Sequence, residues 1–280
     1  MILLLEAYKW TILGGILGGA ALSLIGSQLA SRNQSVQTLV VSQAAAMGTV
    51  IGLALTVLFR SQKFHLEESS IIPLITSFIS ALLFYTLCET LISYKWPSRN
   101  TYYVGIFGLL MAVTYSIISL VPGLETHMAA SYFGDLALAS NSDSIIMAAI
   151  GLIAIFFFKF TWRQVTAWSF DTVIFGIQSQ RKSDRTLQVI FVSVSLVTIA
   201  ASIQLLGFLF TVSCLFLPAM ILTRTQKRLR GLKARLVSGS ALGVALGFIL
   251  SLWHGQLPTV PAIGICLLFT SLSMGIRRAR

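Results

Sequence analysis

Acidic residues are scarce in this sequence, which has 9 Asp and Glu against 20 Lys and Arg. Charged residues of both signs make up only 10% of the 280 positions and hydrophobic residues 56%, so too little polar surface exists to cover a soluble globule. A formal charge of +11 would suit nucleic acid, but the basic residues fall in short clusters between apolar runs. Such clusters set membrane topology and contact anionic lipid. We therefore expect a membrane protein that contacts lipid and has no nucleic-acid partner.

Motifs for catalysis and nucleotide binding are also missing. The sequence contains no GxxxxGK[ST] phosphate loop, no HExxH zinc motif and no GxSxG nucleophile turn. Cys88, Cys214 and Cys266 lie in apolar stretches without CxxC spacing, which indicates neither a disulfide framework nor a zinc ribbon. We expect a chain that is not an enzyme and binds no cofactor of its own.

A long uncharged run lies in the C-terminal half. Residues 186–223 carry no charge, and these 38 residues would form a helix far longer than a hydrocarbon core of roughly 30 Å. Basic clusters flank the run, from Arg181 to Arg185 and from Arg224 to Arg235. Since basic residues stay on the cytoplasmic side, the chain must enter the membrane, turn near Gln204–Gly207 and return. The sequence predicts a helical hairpin over 187–223.

Apolar runs bounded by charge, Pro and Gly predict an all-α, polytopic membrane protein with about nine transmembrane helices in one domain, 1–280. Placing the C-terminal Arg277–Arg280 cluster in the cytoplasm puts the N-terminus outside. Only Lys9, Arg60 and Lys63 then fall on the outer side, which supports this orientation. The predicted spans are 9–30, 38–59, 70–93, 101–121, 144–160, 187–203, 206–223, 236–253 and 259–275.

Two segments are too long for simple turns. The outer one, 122–143, has a short apolar middle that predicts a half-helix at the membrane and four residues suited to a divalent cation, although such residues are also common in solvated loops. The inner one, 161–185, mixes aromatic and charged residues, as in an interfacial amphipathic helix or a docking helix for a cytoplasmic partner. The outer residues are Glu125, His127, Asp135 and Asp143.

Polar residues within the spans have two interpretations each. The hydroxyl residues of the second span suit close helix packing, or, with Gln43 beside them and Gln204 in the hairpin turn, a polar translocation pathway. Glu89 is the one acid predicted inside a span. Its carboxylate either reaches the inner membrane surface near the end of the helix, or it has a functional role within the span. The stripe on one face of the second span is Ser35, Thr38, Ser42, Ala45 and Thr49.

Three stretches resemble the permease subunits of ATP-binding-cassette (ABC) importers for zinc, manganese and iron-type divalent metals. LIGSQLASRNQSVQTLVVSQAAAMGTVIGLAL is similar to the family's first and second spans. SYFGDLALASNSDSIIMAAIGLIAIFFFKFTWRQVTAWSFDTVIFGIQSQ follows its rim helix, next span and SFD-x-x-x-A-x-x-x-G segment. IQLLGFLFTVSCLFLPAMILTR and QLPTVPAIGICLLF are similar to its last part, including LPTGPAI. The stretches cover nearly the whole chain in the family's order.

The resemblance implies an all-helical permease of a bacterial plasma (inner) membrane, with its C-terminus in the cytoplasm, that works by alternating access. It also implies a second permease copy, two copies of a cytoplasmic ABC ATPase subunit and an extracytoplasmic substrate-binding protein that docks on 122–143. A divalent metal would be its substrate. Coupling to the ATPase would use the segment 161–185, through Ser169, Phe170, Asp171 and Gly176.

One departure from the family concerns its GDALSHA string, whose Asp and His lie four residues apart in the second span. A gap-free comparison places Leu39 at the Asp and Gln43 at the His, so the family's metal ligands cannot be carried over. Three hypotheses remain. The chain imports a divalent metal through a site built elsewhere, imports a chelated metal or small organic solute through a neutral polar pathway, or is a non-transporting membrane subunit.

Overall fold

The computed structural model describes residues 8–60, 71–92, 99–121, 124, 140–170, 182–225, 229–254 and 257–276. These ranges contain nine α-helices and no strand, which confirms the all-α prediction for the described part of the chain. The helices are α1 (Lys9–Ser31), α2 (Ser35–Arg60), α3 (Ile71–Ile92), α4 (Arg99–Leu120), α5 (Asn141–Phe170), α6 (Lys182–Leu206), α7 (Phe208–Thr225), α8 (Leu229–His254) and α9 (Thr259–Ile276).

Seven of the described helices, α1 to α6 and α8, are long and apolar enough to cross a membrane. Two shorter apolar stretches, Phe208–Thr223 in α7 and Thr259–Gly275 in α9, fall below that length. The prediction of a polytopic protein is therefore supported. That about nine helices cross the membrane, with α6 and α7 both spanning it as the arms of the hairpin, stays a prediction.

Two groups of helices share one helix, α6. In the first group, α1 packs against α5, α7 and α8, and α9 packs against α7 and α8. In the second group, α2 packs against α3 and α4. α6 contacts members of both groups, including α5, α7, α2 and α3. The apolar spans of α1 and α2 are 72% buried against 22% for α3 and α4, so the last two lie at the periphery, where apolar side chains can face lipid.

The bend between α6 and α7 lies where the sequence predicts a turn. Gly207 is the single residue between the two helices and has a φ of 97°, a left-handed conformation that glycine adopts without steric cost. The hydroxyls of Ser202 and Thr211 lie 2.7 Å apart across this bend. Nine residues of continuous helix would separate them by about 13 Å along the axis, so the chain changes direction sharply at Gly207.

α5 is longer than the predicted span 144–160. It has 30 residues and continues through 161–170, where Trp162 and Val165 enter the core. Lys159 and Arg163 flank the predicted end at residue 160, but both are exposed and neither Gly nor Pro follows within α5, so nothing stops the helix before Phe170. The first part of the segment 161–185 is thus not a separate interfacial helix. Residues 171–181 lie outside the described residues.

Candidate functional site

A tight turn joins α1 to α2 and places Arg32 against α5 and α6. Asn33 has a φ of 56°, a left-handed conformation that Asn tolerates better than most residues. The backbone N–H of Gln34 donates to the Leu29 carbonyl at 3.0 Å, which closes the turn. Arg32 lies outside the apolar stretches Lys9–Ser31 and Ser35–Val57. The chain thereby presents one basic side chain at the junction of two membrane helices.

The Arg32 guanidinium is held between two aromatic rings. Its central carbon lies 3.3 Å from the centroid of the Trp168 ring and 4.4 Å from that of Phe191, which are stacking distances for a cation on an aromatic face. Its Nε donates a hydrogen bond to Ser169 Oγ at 2.9 Å. Burial lowers the pKa of Arg32 to about 9, which still leaves it charged at neutral pH.

Ser169, a predicted coupling residue, ties the end of α5 to the end of α1. Its Oγ accepts the bond from Arg32 and lies 2.9 Å from Gln28 Oε1, to which it can donate. Gln28 Nε2 in turn donates to Thr166 Oγ1 at 3.2 Å. We call Gln28, Arg32, Thr166, Trp168, Ser169 and Phe191 the Arg32 cluster. These contacts link the end of α1 and the α1–α2 turn to the segment predicted to meet an ATPase.

The other predicted coupling residues lie at or beyond the last described residue of α5. Phe170 ends the helix, and its side chain is outside the described part of the structure. Asp171 and Gly176 also lie outside the described residues. Their contact with an ATPase stays a prediction.

The predicted pathway residues of α2 are buried inside the single chain. Ser42 and Gln43 have no exposed surface, and Thr38 is 4% exposed. α3 covers this part of α2, because Ser80 Oγ donates to the Ala44 carbonyl at 2.7 Å and Ser77 Oγ to that of Ala45 at 3.0 Å. Any route past Ser42 and Gln43 therefore lies between α2 and its neighbours rather than on an outer face.

Gln204 lies in the last turn of α6, where it is half-buried. It is one helical turn beyond Ala200, whose carbonyl lies 3.5 Å from Ser77 Oγ. Gln204 therefore follows the part of α6 that meets α3, next to the bend at Gly207. Its role in a pathway stays a prediction.

The outer residues suited to a metal are only partly described. Glu125, His127 and Asp135 lie outside the described residues, whereas Asp143 is half-buried in the first turn of α5. Its backbone N–H donates to Ser140 Oγ at 3.1 Å, so Ser140 caps the helix. Within the described ranges, no three His, Cys, Asp or Glu side chains come together. A metal role for the outer loop stays a prediction.

A cavity that the sequence did not indicate lies beside the Arg32 cluster. It has a volume of about 30 Å³ and is bounded by the α1–α2 turn, α2, α3 and α6. At the same end, Gln37 Nε2 donates to Glu89 Oε1 at 2.9 Å, so Glu89 joins α3 to α2 there. The polar residues lining the cavity are Arg32, Gln34, Gln37, Thr38, Tyr85 and Ser195.

Long apolar helices with buried polar faces between them define a polytopic α-helical membrane protein. The sequence profile of the ABC 3 transport family matches residues 5–276, so the chain belongs to that family and is a transport membrane protein. Among solved structures it is similar to PsaBC from Streptococcus pneumoniae in complex with Fab, with a TM-score of 0.77 and 15% identity over 98% of this chain and 95% of that chain. At this identity the likeness shows the fold. No curated protein sequence matches the chain.

Proposed function

We propose that this chain is the permease subunit of a binding-protein-dependent ABC importer for divalent metal ions, with zinc, manganese and iron as candidates. Its membership of the ABC 3 transport family over residues 5–276 carries this proposal. The sequence resemblance to metal-importer permeases supports the substrate class. Because the sequence has no phosphate-loop motif, a separate ATPase would hydrolyse ATP.

The Arg32 cluster supports a route by which an ATPase would act on the membrane helices. A push on the segment after Phe170 would reach Ser169, and from there Gln28 and Arg32, because hydrogen bonds and ring contacts join these residues. Arg32 begins the turn into α2, so the motion would tilt α2 against α3 and α6. Alternating access would follow if that tilt opened the buried polar face to one side and then the other.

The buried polar face of α2 carries no charged side chain at Leu39, Ser42 and Gln43, which favours a second substrate class. Leu39 is half-buried and offers no donor atom, while Ser42 and Gln43 are fully buried and uncharged. A bare divalent ion would lose its hydration there without gaining a carboxylate or imidazole ligand, which is costly. A chelated metal or a small organic solute would instead meet hydroxyl and amide groups suited to hydrogen bonding.

The test uses the permease purified in lipid with its ATPase and binding protein. Elemental analysis and ATPase rate would be measured across zinc, manganese, iron and copper, with the ATPase alone as control. One metal that binds stoichiometrically and stimulates hydrolysis supports the metal importer. Stimulation by a chelate or organic solute, without a bare metal, supports the second class. A complex that moves no solute into vesicles under any condition would contradict both and favour a non-transporting subunit.

A further inference from the structure

Lys233 of α8 reaches across to α5. Both helices pack against α1, whereas among the described residues they make at most marginal contact with each other. The Nζ of Lys233 donates to the Phe158 carbonyl of α5 at 2.9 Å and lies 6.0 Å from the centroid of the Trp162 ring. One cation of α8 is thereby fixed against two residues of α5.

Two cations of α5 directly follow the residues that Lys233 contacts. Lys159 follows Phe158, and Arg163 follows Trp162. Residues four apart share one face of a helix, so Lys159 and Arg163 are neighbours on the surface of α5. Both are exposed, whereas Lys233 is half-buried. Lys159 is also close enough to Lys233 to act on it electrostatically. Three positive charges therefore gather where α5 and α8 meet.

No acid among the described side chains neutralises these three charges. The acids whose side chains the structure describes are Glu89 and Asp143. Glu89 is bonded to Gln37 in the other group of helices, and Asp143 lies about 24 Å earlier along α5 than Lys159. Like charges repel more strongly near an apolar interior than in water. An anion that does not come from these side chains would relieve that repulsion.

The depth of the three cations in the membrane indicates which anion is available. Arg163 lies fewer than two turns before the end of the apolar stretch Asn141–Ser169, and Lys233 lies in the first turn of Gly231–Trp253. The 29 residues of Asn141–Ser169 exceed the roughly 20 that cross hydrocarbon, so this stretch extends beyond it. Long basic side chains near the end of a span reach the headgroup level, where lipid phosphates are concentrated.

Two exposed aromatic rings border the cations on α5. Phe156 and Phe160 are 56% and 68% exposed, and their ring centroids lie 4.8 Å apart. Phe156 lies three residues before Lys159, and Phe160 three before Arg163, so rings and cations are neighbours on the helix surface. A surface that joins positive charge to apolar rings matches a lipid, which joins a charged headgroup to acyl chains.

We propose that Lys159, Arg163 and Lys233 bind the headgroup of one anionic phospholipid, with its acyl chains against Phe156 and Phe160. Ammonium and guanidinium groups donate charge-assisted hydrogen bonds to phosphate oxygens. The lipid would neutralise the charge between α5 and α8 and fill the space that these helices leave over α1.

Native mass spectrometry of the full-length chain in detergent tests this site. The chain is loaded with phosphatidylglycerol or with phosphatidylcholine, whose headgroup carries no net charge, and the retained lipid is measured. Lys159→Gln and Arg163→Gln change exposed side chains, so they test the site even if Lys233→Gln, which loses its contact with α5, fails to fold. Lys9→Gln is the matched control, because it removes an exposed cation at the start of α1.

We expect each neutralised cation to weaken retention of phosphatidylglycerol about fivefold, and Lys9→Gln to leave it unchanged. Wild type should retain phosphatidylglycerol better than phosphatidylcholine. Equal retention of the two lipids, or the same retention by Lys159→Gln, Arg163→Gln and Lys9→Gln, would overturn the proposal. A rise in melting temperature with inorganic phosphate that Lys159→Gln abolishes would also overturn it, because the site would then take a soluble anion.

Discussion

Gly26 of α1 and Leu215 of α7 lie so close together that a Cβ at Gly26 would overlap the Leu215 carbonyl. The absence of a side chain at Gly26 thus sets the distance between these two helices, as small residues do in membrane helix pairs. A second glycine allows a similarly close approach of α1 and α5, where a Cβ at Gly151 would come within 2.8 Å of the Leu17 backbone. Helix α1 is thereby held against both neighbours by backbone contact.

Substituting Gly26→Ala is expected to destabilise the fold by about 1–3 kcal/mol, because the added methyl group must push two backbones apart. The apparent melting temperature in detergent should fall. Gly108→Ala in α4 is the matched control, since its Cβ would meet no atom within 4 Å. Equal melting temperatures for the two variants would show that α1 and α7 are not locked at this contact.

Gly207→Ala is expected to cost about 1–2 kcal/mol, because Cβ clashes with the backbone at a positive φ. The backbone at residue 207 should be strained, and the Ser202–Thr211 hydrogen bond should weaken. Thermal unfolding would measure the loss, with Gly105→Ala in α4 as the control in open space. A Gly207→Ala variant as stable as this control would contradict the left-handed conformation.

The stacking of Arg32 on Trp168 should appear as a coupling energy. In a double-mutant cycle of Arg32→Lys and Trp168→Leu, measured by chemical unfolding, we expect about 1 kcal/mol of coupling, since Lys lacks the planar group that stacks. Arg32→Lys with Leu209→Ala, on a different helix pair, should be additive. Additivity in the first cycle would mean that the ring contact contributes nothing to stability.

The pH dependence of this contact has a definite sign. Burial holds the folded-state pKa of Arg32, about 9, well below its ordinary value, so the unfolded state binds the proton more tightly. The contribution of Arg32 to stability is therefore lowest below about pH 9 and rises above that pH. Between pH 6 and 8 we expect no change in stability from this residue. A difference between wild type and Arg32→Lys that varies across that range would contradict the assignment.

Asp171→Arg is expected to abolish or strongly reduce co-purification of the ATPase, because it reverses a charge in the proposed coupling segment. Asp143→Arg makes the same change in the first turn of α5, about 40 Å along that helix from its last residue, Phe170, and should leave co-purification unchanged. Both would be measured by affinity capture of the complex from membranes. Normal capture of the ATPase by Asp171→Arg would count against the coupling role.

Ser42→Ala and Gln43→Ala should each slow solute uptake by about fivefold if the buried face of α2 is the pathway, since each removes a hydrogen bond to the solute. ATPase stimulation by solute should fall in parallel. Thr56→Ala serves as control, because Thr56 donates to the Leu53 carbonyl of its own turn and lies far along α2. Unchanged uptake in both variants would assign this face to helix packing alone.

Helix positions could be predicted from the sequence because apolar runs end at charged residues, Gly or Pro. The predicted span 9–30 corresponds to the helix Lys9–Ser31, and the predicted span 259–275 corresponds to the helix Thr259–Ile276. The end of α5 could not be predicted in this way. Lys159 and Arg163 look like a boundary in the sequence, but their side chains lie on the exposed face of a helix that continues.

The candidate site was predictable only where its residues share one helix. Thr38 and Ser42 share one predicted face of α2 with Gln43 beside it, so periodicity was enough to group them, and all three are buried. The Arg32 cluster was missed because Arg32 and Ser169 are 137 residues apart, and no local pattern indicates that their helix ends meet. Ser195 was missed for a similar reason, since a lone serine in an apolar run gives no sign of the cavity beside it.

Helix α5 is longer than the thickness of a membrane's hydrocarbon core. Its 30 residues make a rod of about 45 Å, some 15 Å longer than a hydrocarbon core. A rod that protrudes by 15 Å converts a tilt of about 10° into a sideways movement of about 2.6 Å at its tip. Because Ser169 lies in the last turn of α5 and is bonded to the end of α1, a tilt of α5 would carry the α1–α2 turn with it.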